Sequence, residues 1–196
     1  LRFDITTFAA FDCFMLERKG AEAEYSAQTL DVARRWSKAA TTADKDKLLA
    51  AIMAGLPGAY DRYDIPGLRV MLARYDGITP AILQENLARF LREVIPLAEE
   101  LGMRFAIHPD DPPRPLMGLP RIVSNQGDIA FILGAVDSPA NGLTLCSGSL
   151  GAGPHNDVPG IARAFAQRIH FAHLRNVAKE PDGSFMEADH LDGDTD

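Results

Sequence analysis

Residues 103–108 read MRFAIH, and this short apolar run, which ends in a histidine, decides the fold expected for the second half of the chain. Two similar runs follow, GLTLC at 142–146 and RIHFAH at 168–173. Short, nearly continuous apolar runs are typical of strands that are buried on both faces of a parallel sheet. Helical patterns near 126–136 and 157–167 separate the runs, so the sequence predicts parallel βαβ units.

The first half of the chain, residues 1–101, is predicted to be mostly helical. Apolar residues recur there at helical spacing, in segments bounded by capping residues, prolines and glycines. The predicted helices cover 26–39, 43–54, 65–74 and 80–101. Pro96 lies inside the last of them and predicts a kink, because proline removes a backbone donor and crowds the preceding turn.

Three parallel strands do not make a complete domain, because they do not close a barrel and would leave long unpaired edges. The chain also starts and ends without a recognisable first or last element. We therefore expect this α/β chain to be part of a larger domain.

The composition restricts the class of protein. The 196 residues, 46% of them hydrophobic, are enough for one sizeable core. A net charge of −7, with acids and bases interspersed, is unlike the basic surface of a nucleic-acid-binding protein. No apolar run approaches the ~18 residues that span a bilayer, and residues 1–20 do not resemble a signal peptide. Two distant cysteines, Cys13 and Cys146, fit a cytoplasmic enzyme better than a disulfide-stabilised protein.

A side chain suited to metal binding stands at the end of each predicted strand: His108, Cys146 and His173. In a parallel barrel the carboxyl ends of the strands converge on one face, so we expect these side chains to lie close together. Imidazole and thiolate favour iron, zinc or manganese over magnesium or calcium. Three protein ligands leave positions for a substrate oxygen, as in catalytic sites.

Other polar residues at the strand ends are candidates for supporting roles. Asp110 and Asp111 are suited to orient an imidazole ring by hydrogen bonding. Arg175 offers a forked donor for a substrate carboxylate. Asn176 and His190 are further candidate substrate contacts.

Each of these residues, taken alone, also has a simpler explanation. A histidine at a strand end is commonly a structural residue, and a buried cysteine is commonly a small apolar side chain. His170 is expected to be packed away from the opening of the site, and His155 to lie in a solvated loop. Asp157 is expected to cap a helix. The glycines between 148 and 153 fit a tight turn and not a phosphate-binding motif.

Three stretches of the chain resemble the mannonate dehydratase family: HPDDPPRPLMGLPRIVSN at 108–125, NGLTLCSGSLG at 141–151 and RIHFAHLRN at 168–176. The similarity extends upstream through LRFDITTFAAFD and downstream through FMEADHLDGDTD, so it covers essentially the whole chain. The combination of HPDDPP with a CSGS-type strand end is much more specific than any single residue.

The resemblance implies a (β/α)8 TIM barrel of the xylose-isomerase-like kind, incomplete here, with about three barrel strands plus a helical insertion. Residues 1–102 would be the insertion and the helix before the fifth strand, and residues 103–196 the fifth to seventh βα units of one domain. The eighth strand would follow Asp196 with an Arg-Pro-Asp-His motif, which carries a further metal ligand and an acid/base histidine. We therefore expect the catalytic acid and base beyond Asp196, together with a catalytic tyrosine.

The resemblance also implies an activity and a cofactor. It implies a hydro-lyase that converts D-mannonate into 2-dehydro-3-deoxy-D-gluconate in hexuronate catabolism. The cofactor would be Fe²⁺ or Mn²⁺, with His108, Cys146 and His173 as the metal ligands. The expected partner is a small sugar acid and neither nucleic acid nor membrane, and the sequence is compatible with a homo-oligomer.

Two alternatives remain open. Another metal-dependent enzyme of the same barrel superfamily, a sugar isomerase or an endonuclease, would use similar ligands, although the acidic balance disfavours a nuclease. Alternatively, the chain is an inactive truncated barrel that acts only as a binding module.

Overall fold

The computed structural model describes residues 2–55 and 63–195 as a mixed α/β structure. The helices are α1 (Ile5–Phe14), α2 (Ala27–Ala39), α3 (Thr42–Ala54), α4 (Ile65–Ala73), α5 (Pro80–Glu100), α6 (Gln126–Ala135), α7 (Ser147–Gly151) and α8 (Val158–Ala164). The strands are β1 (Arg2–Phe3), β2 (Leu143–Cys146), β3 (Ile169–His173), β4 (Asn176–Lys179) and β5 (Phe185–Ala188). Short 3-10 turns cover Ala21–Glu24 and Ala166–Arg168.

The helices predicted in the first half are confirmed as α2 to α5. Each begins after a capping side chain that accepts a backbone N–H of the first turn: Ser26, Thr41, Asp64 and Thr79. Helix α5 continues through Pro96 to Glu100. Within the described ranges, no helix is both long enough and apolar enough to cross a bilayer.

The predicted parallel pairing of the second half is confirmed for β2 and β3. Their register places Leu145 opposite Ala172 and Cys146 opposite His173. The carboxyl ends of the two strands therefore lie side by side, each ending in one of the predicted ligands.

The strand predicted at 103–108 is wrong in its extent. Only one parallel bridge forms there, between Ile107 and Leu143. The backbone N–H of Phe105 still donates to the carbonyl of Ala140 at 2.8 Å, so the segment lies along the free edge of β2. In the described part of the chain, this segment has a neighbouring strand on one side only, so few of its backbone groups are held in a ladder. Its first residue, Met103, is exposed.

A second, antiparallel sheet was not predicted. Its order is β1-β5-β4, and it joins the two ends of the described chain. A tight turn connects β4 to β5, where Gly183 has a φ of +92° and its N–H donates to the carbonyl of Glu180 at 3.0 Å. The strands are only two to four residues long, too short for a clear alternating pattern in the sequence.

Three apolar clusters hold the described elements, and the smallest packs α1 against α2 through Ala9, Ala10 and Ala33. The larger core lies between α5, α6, α7, α8 and the parallel strands, and its fully buried members include Leu91, Ile95, Ile129, Leu143 and Leu150. A second core joins α1, α3 and α4 to Met117 of the loop after residue 108. Because β2 is anchored in the larger core, its carboxyl end has a fixed position beside β3.

Candidate metal centre

The side chains predicted as metal ligands lie together at the ends of the parallel strands. One ligand atom from each of His108, Cys146 and His173 lies within 4.8 Å of the other two. Nδ1 of His173 lies 3.3 Å from Nε2 of His108 and 3.4 Å from Sγ of Cys146. The predicted convergence of the strand ends is therefore confirmed for these three side chains.

The two separations that involve His173 fit ligands that share one ion. Bonds of about 2.0–2.1 Å to nitrogen and about 2.3 Å to sulfur place two ligands of a tetrahedral ion about 3.3–3.8 Å apart. The separations of 3.3 and 3.4 Å from Nδ1 of His173 agree with this range. Hydrogen bonding is a weaker explanation, because a single proton on Nδ1 of His173 cannot serve both neighbours. This donor set therefore suits a divalent transition metal.

Burial differs between the ligands. Cys146 is fully buried, whereas the imidazoles of His108 and His173 are exposed. The sulfur thus closes the inner side of the cluster, and the imidazole side faces solvent, from which a substrate can approach.

A backbone carbonyl orients His108. Nδ1 of His108 lies 2.7 Å from the carbonyl oxygen of Pro109, which can only accept a hydrogen bond. Nδ1 therefore carries the proton, and Nε2 keeps its lone pair on the side that faces His173. The sequence had assigned this orienting role to Asp110 or Asp111, and the structure gives it to the main chain.

The two aspartates have other partners in the structure. Oδ2 of Asp110 accepts the backbone N–H groups of Ile122 at 2.9 Å and Val123 at 2.7 Å, which fixes the loop before α6. Asp111 forms an ion pair with Arg175. Among the described residues, neither carboxylate contacts an imidazole of the cluster.

Arg175 crosses α7, the short helix that directly follows β2 where the glycines had suggested a tight turn. A Cβ on Gly148 would lie 2.5 Å from Cγ of Arg175, so α7 needs glycine at this position. The guanidinium pairs with Asp111, and its Nε lies 3.2 Å from a carboxylate oxygen of Glu187. Burial opposes the charge, but the hydrogen bond and charge of Asp111 outweigh it and raise the pKa of Arg175 above its usual value. Nη2 is buried and has no hydrogen-bond partner within residues 2–55 and 63–195.

Asn176 and His190 have structural partners. The buried amide of Asn176 donates to the carbonyls of His190 at 2.9 Å and Thr195 at 3.1 Å. Its oxygen accepts the N–H groups of Val177 at 2.8 Å and Thr195 at 2.9 Å, so both N–H groups and both lone pairs are used. Nε2 of the exposed His190 donates to the carbonyl of Leu174 at 3.0 Å. Asn176 thus holds the 190–195 segment on β4, and the predicted substrate contacts of both residues stay predictions.

The remaining predictions for polar residues of this region are confirmed. Nδ1 of His170 contacts the carbonyl of Phe105 at 2.6 Å, so this half-buried histidine packs against the segment beside β2. His155 is exposed in a loop, and Asp157 caps α8 by accepting the N–H of Gly160.

Sequence reasoning missed Ser149 and the carbonyl of Pro109. Ser149 is fully buried, and its Oγ lies 3.2 Å from the sulfur of Cys146. Its position in the CSGS stretch, three residues after the cysteine, was the available signal. A backbone carbonyl leaves no such signal, because every residue has one.

A large cleft lies outside the cluster. Its volume is about 1030 Å³, and it is lined by the loop at 112–118, the turn at 152–155 and the β4–β5 hairpin. Its lining does not include the three candidate ligands. We assign the chemistry to the ligand cluster because reactivity depends on the groups that converge there and not on the size of a cavity.

Comparison with known proteins gives consistent matches. A sequence model of the D-mannonate dehydratase family (UxuA) matches residues 12–196. The mannonate dehydratases of Chromohalobacter salexigens and Marinomonas sp. are each 51% identical to this chain over 197 residues. Each match covers 100% of this chain and 50% of the relative, so the chain spans about half the length of the curated relatives it matches.

A solved structure is also similar. The crystal structure of mannonate dehydratase from Streptococcus suis serotype 2 superposes with a TM-score of 0.58 at 41% identity. The superposition covers 61% of this chain and 35% of that chain. Since the family model matches nearly every residue and the relatives are 51% identical over the full chain, the chain belongs to the D-mannonate dehydratase family.

Proposed function

We propose that this chain supplies the metal-binding part of a mannonate dehydratase, a hydro-lyase that converts D-mannonate into 2-dehydro-3-deoxy-D-gluconate. The observation that carries the proposal is the meeting of His108, Cys146 and His173 at the ends of adjacent parallel strands. Membership of the family supports the reaction and the sugar-acid substrate. A cytoplasmic location and a homo-oligomeric state remain predictions from the sequence.

The proposed architecture is a (β/α)8 barrel. Parallel pairing of β2 with β3, and the bridge of Ile107 to β2, support three neighbouring barrel strands. Helices α5 and α6 cover these strands with apolar side chains, as the outer helices of such a barrel do. We propose residues 1–102 as the helical insertion and the helix before the fifth strand, and residues 103–196 as the fifth to seventh βα units.

The proposed cofactor is Fe²⁺ or Mn²⁺. Nε2 of His108, Sγ of Cys146 and Nδ1 of His173 would hold it, and their mixed nitrogen and sulfur chemistry suits such an ion. The bound ion would supply Lewis-acid stabilisation of negative charge beside the substrate.

The reaction removes a proton from the carbon next to the carboxylate and a hydroxyl group from the following carbon. Together these leave as water, and the resulting enol becomes the 2-keto product. Negative charge builds up on the carboxylate as the proton leaves, so a fixed cation beside it lowers the barrier. Arg175 is the proposed donor to this carboxylate, and its Nη2 has no hydrogen-bond partner among the described residues. The general acid and base are not assigned to residues of this chain.

The test combines metal analysis with a substrate panel. The full-length enzyme that would contain this chain is loaded with Mn²⁺ or Fe²⁺ and assayed with D-mannonate, other hexonates and aldoses. We expect about one ion per chain, formation of 2-dehydro-3-deoxy-D-gluconate, and loss of both in His173→Ala. Isomerisation of an aldose without dehydration of any hexonate would identify a sugar isomerase instead. Stoichiometric metal binding without turnover of any substrate would favour a binding module.

A further inference from the structure

Ser149 contacts the sulfur of Cys146 with two groups. Its Oγ lies 3.2 Å from Sγ, and its backbone nitrogen lies 3.4 Å from the same atom. Both residues are fully buried, so water does not solvate the sulfur on this side. The serine is therefore the immediate polar environment of the buried sulfur atom.

The direction of these hydrogen bonds depends on the charge of the sulfur. Nη1 of Arg175 lies 3.4 Å from Oγ of Ser149, and a guanidinium can only donate. The serine oxygen has two lone pairs and one proton, so it can accept from the arginine and still donate to a sulfur that carries no proton. A cysteine that binds a metal does so as a thiolate, which only accepts hydrogen bonds. Two donors of Ser149, the N–H and the O–H, are then directed at the sulfur.

A glycine of α7, the helix that also contains Ser149, makes this arrangement possible. Gly148 leaves room for the aliphatic part of Arg175, which any Cβ at that position would displace. The guanidinium is held in turn by Asp111. The sulfur, Ser149, Arg175 and Asp111 thus form one continuous polar chain from the ligand cluster into the loop after residue 108.

We propose that Ser149 is a positioning residue, which holds the sulfur of Cys146 in place for metal binding and limits the electron density that the sulfur gives to the ion. This inference rests on the proposed metal site. Hydrogen bonds to a ligand atom orient it and withdraw charge from it, and loss of such a partner typically weakens metal binding about 10- to 100-fold. A buried sulfur without these donors would also keep an unsolvated negative charge.

The test uses Co²⁺ as a spectroscopic probe in wild-type protein, Ser149→Ala, Ser149→Thr and Ser147→Ala. Ser147 is the matched control, because its Oγ contacts the backbone of Arg175 at 2.6 and 3.1 Å and not the sulfur. Affinity is measured by competition with a chelator. The energy of the sulfur-to-cobalt charge-transfer band reports the electron donation of the sulfur, and circular dichroism confirms the fold of each variant.

In Ser149→Ala we expect the affinity for Co²⁺ to fall by about 10-fold or more. The sulfur-to-cobalt charge-transfer band should move to lower energy, because a thiolate without these hydrogen bonds donates more strongly to the metal. Ser149→Thr keeps the hydroxyl group and should restore both values, and Ser147→Ala should leave the band in place. An unchanged band and affinity in Ser149→Ala would overturn the inference, and so would equal changes in Ser149→Ala and Ser147→Ala. Absence of any sulfur band in the wild-type protein would instead count against the proposed metal site itself.

Discussion

Cys146 and His173 are register partners in the parallel pair of β2 and β3, and Nδ1 of the histidine lies 3.4 Å from the sulfur. The two residues are 27 positions apart in the sequence. The pairing that builds the sheet therefore also builds the site. A slip of one residue in this register would turn one of the two side chains to the opposite face of the sheet.

The first prediction concerns the sulfur ligand. Cys146→Ser replaces a thiolate by a weakly acidic hydroxyl group, so the metal content and the proposed dehydratase activity of the complete enzyme should fall together. Cys13→Ser is the control, since Cys13 lies in α1 and burial and the charge of Asp12 raise the pKa of its thiol to about 11. Metal content is measured by elemental analysis. Full metal content and normal activity in Cys146→Ser would remove this residue from the ligands.

The second prediction concerns Gly148 of α7, which packs against the side chain of Arg175. The new methyl group of Gly148→Ala would lie 2.5 Å from Cγ of Arg175 and displace it. The displaced Arg175 should lose its proposed charge-assisted hydrogen bond to the substrate carboxylate, which is worth about 1.5–3 kcal/mol. The kcat/KM for D-mannonate should then fall roughly 10- to 150-fold. The control is Gly134→Ala in α6, where a Cβ meets no atom within 4 Å. That control should keep its activity and gain about 0.4–1 kcal/mol of stability. Equal activity of the two variants would argue against a substrate role for Arg175.

The ligand cluster could be predicted from the sequence because its signal is local. His108, Cys146 and His173 each follow a short apolar run, and the topology of parallel sheets brings the ends of such runs together. The helices were predictable for a similar reason, since caps such as Ser26 and Thr79 precede periodic apolar segments.

The partners of these groups could not be predicted in the same way. The contact of Asp111 with Arg175 joins residues 64 positions apart, and it depends on how two loops pack. The pairing of Arg2 with Met186 in the second sheet is also set by tertiary contacts, because neither segment carries a strand pattern of its own. A carboxylate next to a histidine in sequence was therefore a poor guide to the carboxylate's partner in space.

The third prediction concerns a buried ion pair in the first half of the chain. The carboxylate of Asp12 is fully buried and accepts from Nε of Arg18 at 2.9 Å, from its Nη2 at 2.7 Å, and from the hydroxyl of Tyr25 at 2.8 Å. Asp12→Ala removes the two hydrogen bonds from Arg18 and the one from Tyr25, although Arg18 keeps its ion pair with Glu24. The free energy of unfolding should therefore fall by about 1.5–3 kcal/mol. Urea denaturation measures the change.

The matched control for Asp12 is an exposed pair of the same chemistry. Asp31 and Arg35 form an ion pair on the surface of α2, and both side chains are more than half exposed. Asp31→Ala should therefore change the free energy of unfolding by less than about 1 kcal/mol. Similar losses in the two variants would show that the buried pair contributes no more than a surface pair.

The fourth prediction concerns pH. Asp4 caps α1; partial burial opposes its charge, but hydrogen bonds from Thr7 and Thr6 outweigh this and lower its pKa to about 2. The pKa of an unfolded aspartate is about 3.9, so the charged cap stabilises the fold above about pH 4. That contribution should be lost as the pH falls from about 4 to about 2.

The variant Asp4→Asn tests this pH dependence, because asparagine can cap the helix but does not titrate. The difference in unfolding free energy between wild type and Asp4→Asn should shrink as the pH falls through that window. A difference that stays constant from pH 5 to pH 2 would contradict the assigned shift.

The central claim is that two imidazoles and one thiolate of this chain share an ion. Anomalous diffraction from crystals grown with Mn²⁺ tests it most directly. We expect a single strong peak within bonding distance of Nε2 of His108, Sγ of Cys146 and Nδ1 of His173. A manganese peak away from these atoms, or a fully loaded site in which Cys146 is not bonded to the metal, would contradict it.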